Sequence, residues 1–148
     1  PLFSPDGQRL AAIVATDFGC WTLAVDGTPW TATFSDLVSD PVFSPDGRRL
    51  AAMFKEGAQW SLVVDGQPWT HRFDMAWPPV FSPDGELLAT RVEKKGKYTL
   101  ALNDRTWGRE CDAIWDPVFS PDGRRLLVRF VADGRYHRCI LPVTEITG

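Results

Sequence analysis

The pentapeptide Phe-Ser-Pro-Asp-Gly occurs four times, at residues 3–7, 43–47, 81–85 and 119–123, in steps of 40, 38 and 38 residues. A repeat of that length restricts the chain to tandem architectures in which one small unit stacks on the next. Within each copy, proline presets φ, aspartate bonds nearby backbone and glycine accepts a positive φ, which makes a tight corner between two apolar runs. The runs themselves, such as residues 10–14 and 60–64, are short, bounded by Gly and Asp, and carry no helical stripe. That pattern predicts strands rather than helix pairs.

Superposing the copies exposes the rest of the unit. A second strand follows each corner and ends in a polar turn at Gly19, Gly57, Gly96 or Gly134. A third opens on an aromatic residue (Trp21, Trp60, Tyr98, Tyr136) and closes twice in Asp-Gly, at Asp26-Gly27 and Asp65-Gly66, a preferred type I′ hairpin signal. Asn103-Asp104 stands there in the third repeat and accepts the same left-handed geometry less cheaply than Gly does. A fourth run opens at Trp30, Trp69 or Trp107 and leads through Asp40-Pro41, Pro78-Pro79 or Asp116-Pro117 into the next corner.

The expected fold is therefore all-β: a β-propeller of four-stranded antiparallel meander blades, strands a to d, in four repeats with the last incomplete. The repeats run 1–40, 41–78, 79–116 and 117–148, the last lacking its d strand, as one propeller module that is a fragment or half of a larger ring. Open strand edges promote pairing, so either self-association as a dimer to complete the ring or further residues is expected. Trp30, Trp69 and Trp107 have the bulk to fill the wide space between blades near the rim.

A net charge of -3 and a pI near 5.3 supply no basic field, which argues against a nucleic-acid partner. The pairs Arg48-Arg49 and Arg124-Arg125, with Lys94-Lys95, are read as ordinary solvated positions. No stretch approaches the roughly 18 apolar residues of a membrane span. Cys20, Cys111 and Cys139 are odd in number and widely spaced, so neither a disulfide framework nor a metal site is signalled, and a reducing, cytoplasmic setting is expected.

The Phe-Ser-Pro-Asp-Gly repeat with its preceding Pro-Val resembles the TolB-type, WD-like propeller repeat over essentially the whole chain. More narrowly, Val-Asp-Gly-x-Pro-Trp (25–30 and 64–69), followed by Phe-Asp-x-x-Trp (73–77), resembles the tryptophan-rich subunit of the Tmc complex of sulfate-reducing bacteria. That resemblance implies a cytoplasmic, cofactor-free accessory subunit of a membrane redox complex, partnered by cytochrome and iron–sulfur subunits.

Candidate site residues fall on the face bearing the d–a and b–c loops. Asp40, Trp77, Trp115 and Asp116 are expected just before the inner strands, around the mouth of the channel, with Asp74 and Asp112 earlier on the d strands. Aromatic residues ringed by acids suit protein contact; the structural alternative is that the tryptophans cap packing between blades. Asp6, Asp46, Asp84 and Asp122 each stand alone in a corner, which favours turn capping over calcium binding. His71 and His137 lie near no nucleophile motif. The expected function is a non-catalytic scaffold for protein–protein interaction. The competing readings are a small-ligand, glycan-binding or hydrolytic propeller acting at the channel mouth, and a fragment for propeller assembly that oligomerises to close its ring.

Overall fold

The computed structural model describes Pro1–Gly148, and it consists of four antiparallel sheets in chain order followed by one helical turn. The first sheet holds β1 (Leu2–Phe3), β2 (Leu10–Asp17), β3 (Cys20–Val25) and β4 (Thr28–Pro29). The second holds β5 (Leu37–Phe43), β6 (Leu50–Glu56), β7 (Gln59–Val64) and β8 (Gln67–Pro68). In the third, β9 (Met75–Ala76) and β10 (Val80–Phe81) both pair with β11 (Leu88–Lys94), which leads to β12 (Lys97–Leu102) and β13 (Arg105–Thr106). In the fourth, β14 (Ala113–Ile114) and β15 (Val118–Phe119) both pair with β16 (Arg125–Ala132), which pairs with β17 (Arg135–Pro142).

Each strand follows its predecessor as a meander because the turns are two-residue hairpins of the required hand. Asp26-Gly27 and Asp65-Gly66 have positive φ at both positions, the type I′ geometry. Asn103 and Asp104 adopt it too, at φ 46 and 62. In all three turns the first side chain locks the hairpin to the second strand: Asp26 Oδ1 accepts Leu10 N at 2.8 Å, Asp65 Oδ1 accepts Leu50 N at 2.9 Å, and Asn103 Oδ1 accepts Leu88 N at 2.9 Å. The fourth sheet has a two-residue hairpin at Asp133-Gly134, between β16 and β17, but no turn to an outer strand after β17. There α1 (Thr144–Thr147) follows β17 and buries Ile146 against the core it shares with the third sheet.

The innermost strand begins earlier than the prolines suggest. β5 starts at Leu37 and runs through Asp40 in a bulge at φ 52, and the corresponding strands of the next two sheets are interrupted at 77–79 and 115–117 but already paired upstream, through β9 and β14. Asp40, Trp77, Trp115 and Asp116 therefore lie partway along the inner strand rather than ahead of it. Asp74 and Asp112 lie at its start, with Asp74 N donating to Glu93 O and Asp112 N to Val131 O, rather than on the d strands. Proline removes one ladder bond and bends the strand without ending it.

Three apolar cores hold the sheets together, one at each junction. Ala11 and Leu23 meet Leu50, Ala52, Phe54 and Val63 between the first and second sheets. Ala51, Met53, Leu62 and Val64 meet Phe81, Leu88 and Val92 at the next junction. Ala89, Leu100 and Leu102 meet Leu126, Val128 and Phe130 at the last. Strand alternation explains this: on β6, Leu50, Ala52 and Phe54 serve one junction and Ala51 and Met53 the other, which requires an apolar residue at nearly every position of a strand buried on both faces. Trp69 is buried at the second junction, Trp30 and Trp107 pack partly buried at the first and third, and the Trp30 ring lies against Gly66 of the neighbouring hairpin.

Candidate functional site

The four Phe-Ser-Pro-Asp-Gly corners are internally closed. In the first, Ser4 Oγ donates to Asp6 Oδ1 at 2.6 Å, Gln8 N donates to the same oxygen at 3.0 Å, and Arg9 N donates to Ser4 Oγ at 3.0 Å. The same three bonds recur around Asp46, Asp84 and Asp122. The serine hydroxyl, and after it the backbone amide, hold each carboxyl below its ordinary range. These aspartates are committed to their own corners, and no three His, Cys, Asp or Glu side chains come together in a cluster that could hold a metal ion.

At two of the four corners an arginine does more than meet solvent. Arg9 Nη1 donates to the carbonyls of Gly47 and Arg48 at 3.2 and 3.1 Å, and Arg49 Nη1 to those of Gly85 and Glu86 at 3.0 and 3.2 Å. Each arginine reaches the next sheet's corner and lies over that sheet's phenylalanine, Phe43 or Phe81. Asp26 and Asp65 pair with the same guanidinium groups. The reading of Arg49 as an ordinary solvated residue is thus corrected. Where the third repeat has Leu87 for the arginine, it also has Asn103 for the aspartate, so the charge pair is absent as a unit.

Asp104 makes a second connection between sheets. Its carboxylate accepts Thr70 N and Thr70 Oγ1, both at 2.8 Å, and His71 N at 3.0 Å, with His71 Nδ1 also at 3.0 Å. Partial burial pushes its pKa up, but these donors outweigh burial and hold it below the ordinary range. The stabilisation is present above the carboxylate's unfolded pKa and is lost as pH falls through its depressed folded value. Asp104→Asn keeps the shape and tolerates the positive φ, and it is expected to cost about 1–2 kcal/mol in urea unfolding at pH 7. The gap from wild type should begin to narrow near about pH 4 and close as pH falls through the depressed folded value; a gap independent of pH would show that the charge contributes nothing.

The aromatic and acidic residues of the opposite loops form two side-by-side copies of one arrangement. Trp77 lies 5.9 Å from Tyr98 across its sheet, with the Arg91 guanidinium 4.6 Å above its ring. Arg91 Nη1 donates to Ile114 O at 3.1 Å, and Arg91 Nε lies 2.8 Å from Asp116 Oδ1, an ion pair whose N–H is aimed off the oxygen. Trp77 is thus half-buried at the junction with the fourth sheet. Trp115 repeats this posture edge-on to Tyr136 at 5.8 Å, but no further sheet stands beyond, and the two are 42% and 59% exposed. Arg129 occupies the position of Arg91, and its Nε is buried without a hydrogen-bond partner.

The remaining acids have structural partners or none. Asp74 Oδ2 accepts Lys95 N at 2.7 Å and so holds a hairpin that needs positive φ at Lys95. Asp112 Oδ1 meets Lys97 Nζ at 2.6 Å, and both pKa values move apart accordingly, the carboxyl down and the ammonium up, led by that hydrogen bond. Asp40 sits in its bulge on the second sheet, without a tryptophan at the position of Trp77. The structure brings Trp77, Trp115 and Asp116 into one neighbourhood and leaves Asp40 apart.

No protein-family model matches the sequence, and neither does any curated protein. Among solved structures, a protein assigned as TolB from Agrobacterium tumefaciens superposes with a TM-score of 0.55 at 17% identity, over 97% of this chain and 60% of its own. The fold is TolB-like, of the β-propeller type. Two proteins assigned as 6-phosphogluconolactonases, from Bacteroides uniformis and Bacteroides fragilis, align with TM-scores of 0.42 and 0.40 at 18% and 14% identity. They cover 99% and 97% of this chain, and 55% and 59% of their own. This chain therefore spans little more than half the length of the solved structures it matches.

Within the propeller sheets, clefts lie away from the aromatic pairs' inner tryptophans. One of about 270 Å³ is lined by His71, Lys94, Lys97, Tyr98, Trp107 and Glu110 among others. Another, of about 200 Å³, is lined by Val118, Phe119, Ser120, Arg125, Leu127 and Ile140 on the uncovered side of the fourth sheet. Neither includes Trp77 or Trp115. The Cys111 thiol is buried, which pushes its pKa up and leaves it a packing group. Sequence reasoning missed the reach of Arg9 and Arg49 to the next corner; the signal was the arginine's recurrence, with Arg125, at the same place in three of four repeats.

Proposed function

We propose that this chain is a non-catalytic propeller scaffold that docks another protein on the uncovered side of its fourth sheet, beside Trp115 and Asp116. The observation that carries the reading is the Trp115–Tyr136 pair: two large aromatics, packed edge to face and open to solvent, at positions where the preceding sheet's pair is covered. Exposed, clustered aromatics are the composition of interaction hot spots. Trp77 lies half-buried beside this surface, Asp74 and Asp112 are exposed at the starts of their inner strands, and Asp40 lies two sheets away. As a finer reading, the scaffold is a cytoplasmic accessory subunit of a membrane redox complex, needing no cofactor of its own; that rests on the Val-Asp-Gly-x-Pro-Trp resemblance.

The test compares immobilised wild-type and Trp115→Ala chains challenged with detergent-solubilised extract of the source cells. A protein held by wild type and reduced at least tenfold on the variant is expected, with Tm displaced by no more than about 2 °C, since the ring is exposed. Cytochrome and iron–sulfur subunits among the bound proteins would support the finer reading. Equal retention on both chains overturns the docking face, and turnover of a sugar lactone or glycan by the purified chain overturns the non-catalytic reading.

A further inference from the structure

We propose that the cleft of about 270 Å³ between the second and third sheets binds a small aromatic carboxylate, with the ring in its closed end and the carboxylate on Lys94. Both walls belong to sheets that have a neighbour on either side. The site lies apart from Trp115 and Asp116, so it stands or falls independently of the docking role proposed above.

The cleft exists because one ring is missing. Leu50, Leu88 and Leu126 each pair with the phenylalanine of their own corner, and four residues further on Phe54, Val92 and Phe130 hold equivalent positions toward the preceding sheet. Phe54 stacks on Phe34 at 4.1 Å, with the Arg72 guanidinium over it at 4.9 Å. Phe130 is enclosed by Trp107, His137 and Arg109, at 5.6, 4.9 and 4.6 Å. Val92 brings no ring. The bridged pairs Trp21–Phe34 and Trp60–Phe73 put Phe73 where Phe34 stands, yet its one ring neighbour is His71 of its own segment, at 6.4 Å. Glu110 precedes Cys111 as Arg72 precedes Phe73, so a carboxylate also takes the place of the covering guanidinium. The space that a benzyl side chain fills at the first and third junctions is therefore open at the second.

The chemistry of the cleft changes with depth. Phe73 and Val92 are buried at its closed end, whereas His71, Lys94, Lys97 and Glu110 are exposed at its mouth. Lys97 Nζ bonds Asp112 and His71 Nδ1 bonds Asp104, which leaves the lysine two further N–H groups and the imidazole its Nε2. Lys94 makes no ion pair. The two lysines outnumber the single carboxylate of Glu110, so the mouth favours an anion, and a charge-assisted bond from an ammonium to a carboxylate is about twice as strong as a neutral one. An apolar end with a few polar groups at the entrance is the usual construction of a small-molecule site. The volume falls just below the common range of roughly 300–1,000 Å³, which suits a ligand of one ring.

The test is a titration of the isotope-labelled chain with phenylacetate, read from the backbone amide signals of Lys94, Thr99 and Gly108. Saturable shifts are expected, with a Kd of about 1 mM or tighter. Phenylacetamide, neutral and of the same shape, should bind wild type at least tenfold more weakly, and phenylacetate should bind Lys94→Ala at least fivefold more weakly. Val92→Phe, which rebuilds the ring of the second and fourth sheets, should abolish the shifts and leave the far-ultraviolet circular dichroism unchanged. Absence of saturation up to about 10 mM phenylacetate overturns the site. Equal affinity for acid and amide overturns the carboxylate, and tighter binding of benzylamine overturns it in favour of a cation held by Glu110. Phenylacetate binding that survives in folded Val92→Phe puts the ligand elsewhere and overturns the cleft; if that variant does not fold, the amide and Lys94→Ala comparisons decide.

Discussion

Phe54→Ala is expected to destabilise the protein by about 3–5 kcal/mol, which corresponds to a fall in Tm of roughly 6–20 °C. Phe54 is fully buried at the first junction and stacks on Phe34 with ring centroids 4.1 Å apart, and the Arg72 guanidinium closes over it at 4.9 Å. Truncation removes the ring from both the first and second sheets, and a cavity between two sheets does not collapse without shifting one of them. Phe18, fully exposed in the first sheet's hairpin, is the control: Phe18→Ala should stay within about 0.5 kcal/mol of wild type. Urea unfolding followed by tryptophan fluorescence reads both, and a loss below about 1.5 kcal/mol for Phe54→Ala would refute the packing of the first junction.

The second large effect belongs to a corner glycine. Gly85 has φ +77, and a Cβ added there would come within 3.2 Å of Ser44 Cβ on the preceding sheet. Ser44 cannot retreat, because it is buried and its hydroxyl is held between Asp46 and Arg49 N. Gly134 has a similar φ of +71 but open space around it. Gly134→Ala should therefore cost only the left-handed penalty, about 1–2 kcal/mol, and Gly85→Ala that penalty plus the collision, about 2–4 kcal/mol in all. Equal losses in the two variants would mean that the corners of adjacent sheets do not press on one another.

These two positions also show what could be read locally and what could not. The corner is legible because every reason for it lies within seven residues: Pro sets φ, Asp collects the neighbouring hydroxyl and amide, and Gly takes the turn. The same holds for Asp26-Gly27 and Asp65-Gly66. The start of the inner strand is not legible in that way. Pro41, Pro79 and Pro117 look like strand starts, and only the partner strand reveals that Trp77 N and Trp115 N already donate to Arg91 O and Arg129 O upstream of them.

The site residues divide along the same line. Trp77, Trp115 and Asp116 are legible from their place in the repeat, whereas Asp74 is tied to a hairpin 21 residues onward at Lys95 and Asp112 to Lys97, 15 residues before it. Arg9 and Arg49 bond carbonyls 36 to 39 residues away, a separation across which composition and periodicity give no warning. Their signal was the loss of Arg and Asp together in the third repeat, at Leu87 and Asn103.

The three separate cores carry a consequence for how such a chain can change in length. Every apolar cluster and every arginine clamp joins one sheet only to its immediate neighbour, so no residue depends on the total number of sheets. Duplicating a 38-residue unit in the gene adds one junction of known chemistry and leaves the others in register; deleting one removes a junction and rejoins surfaces that already match. A lineage built this way can vary the circumference of its assembly without redesigning a single core.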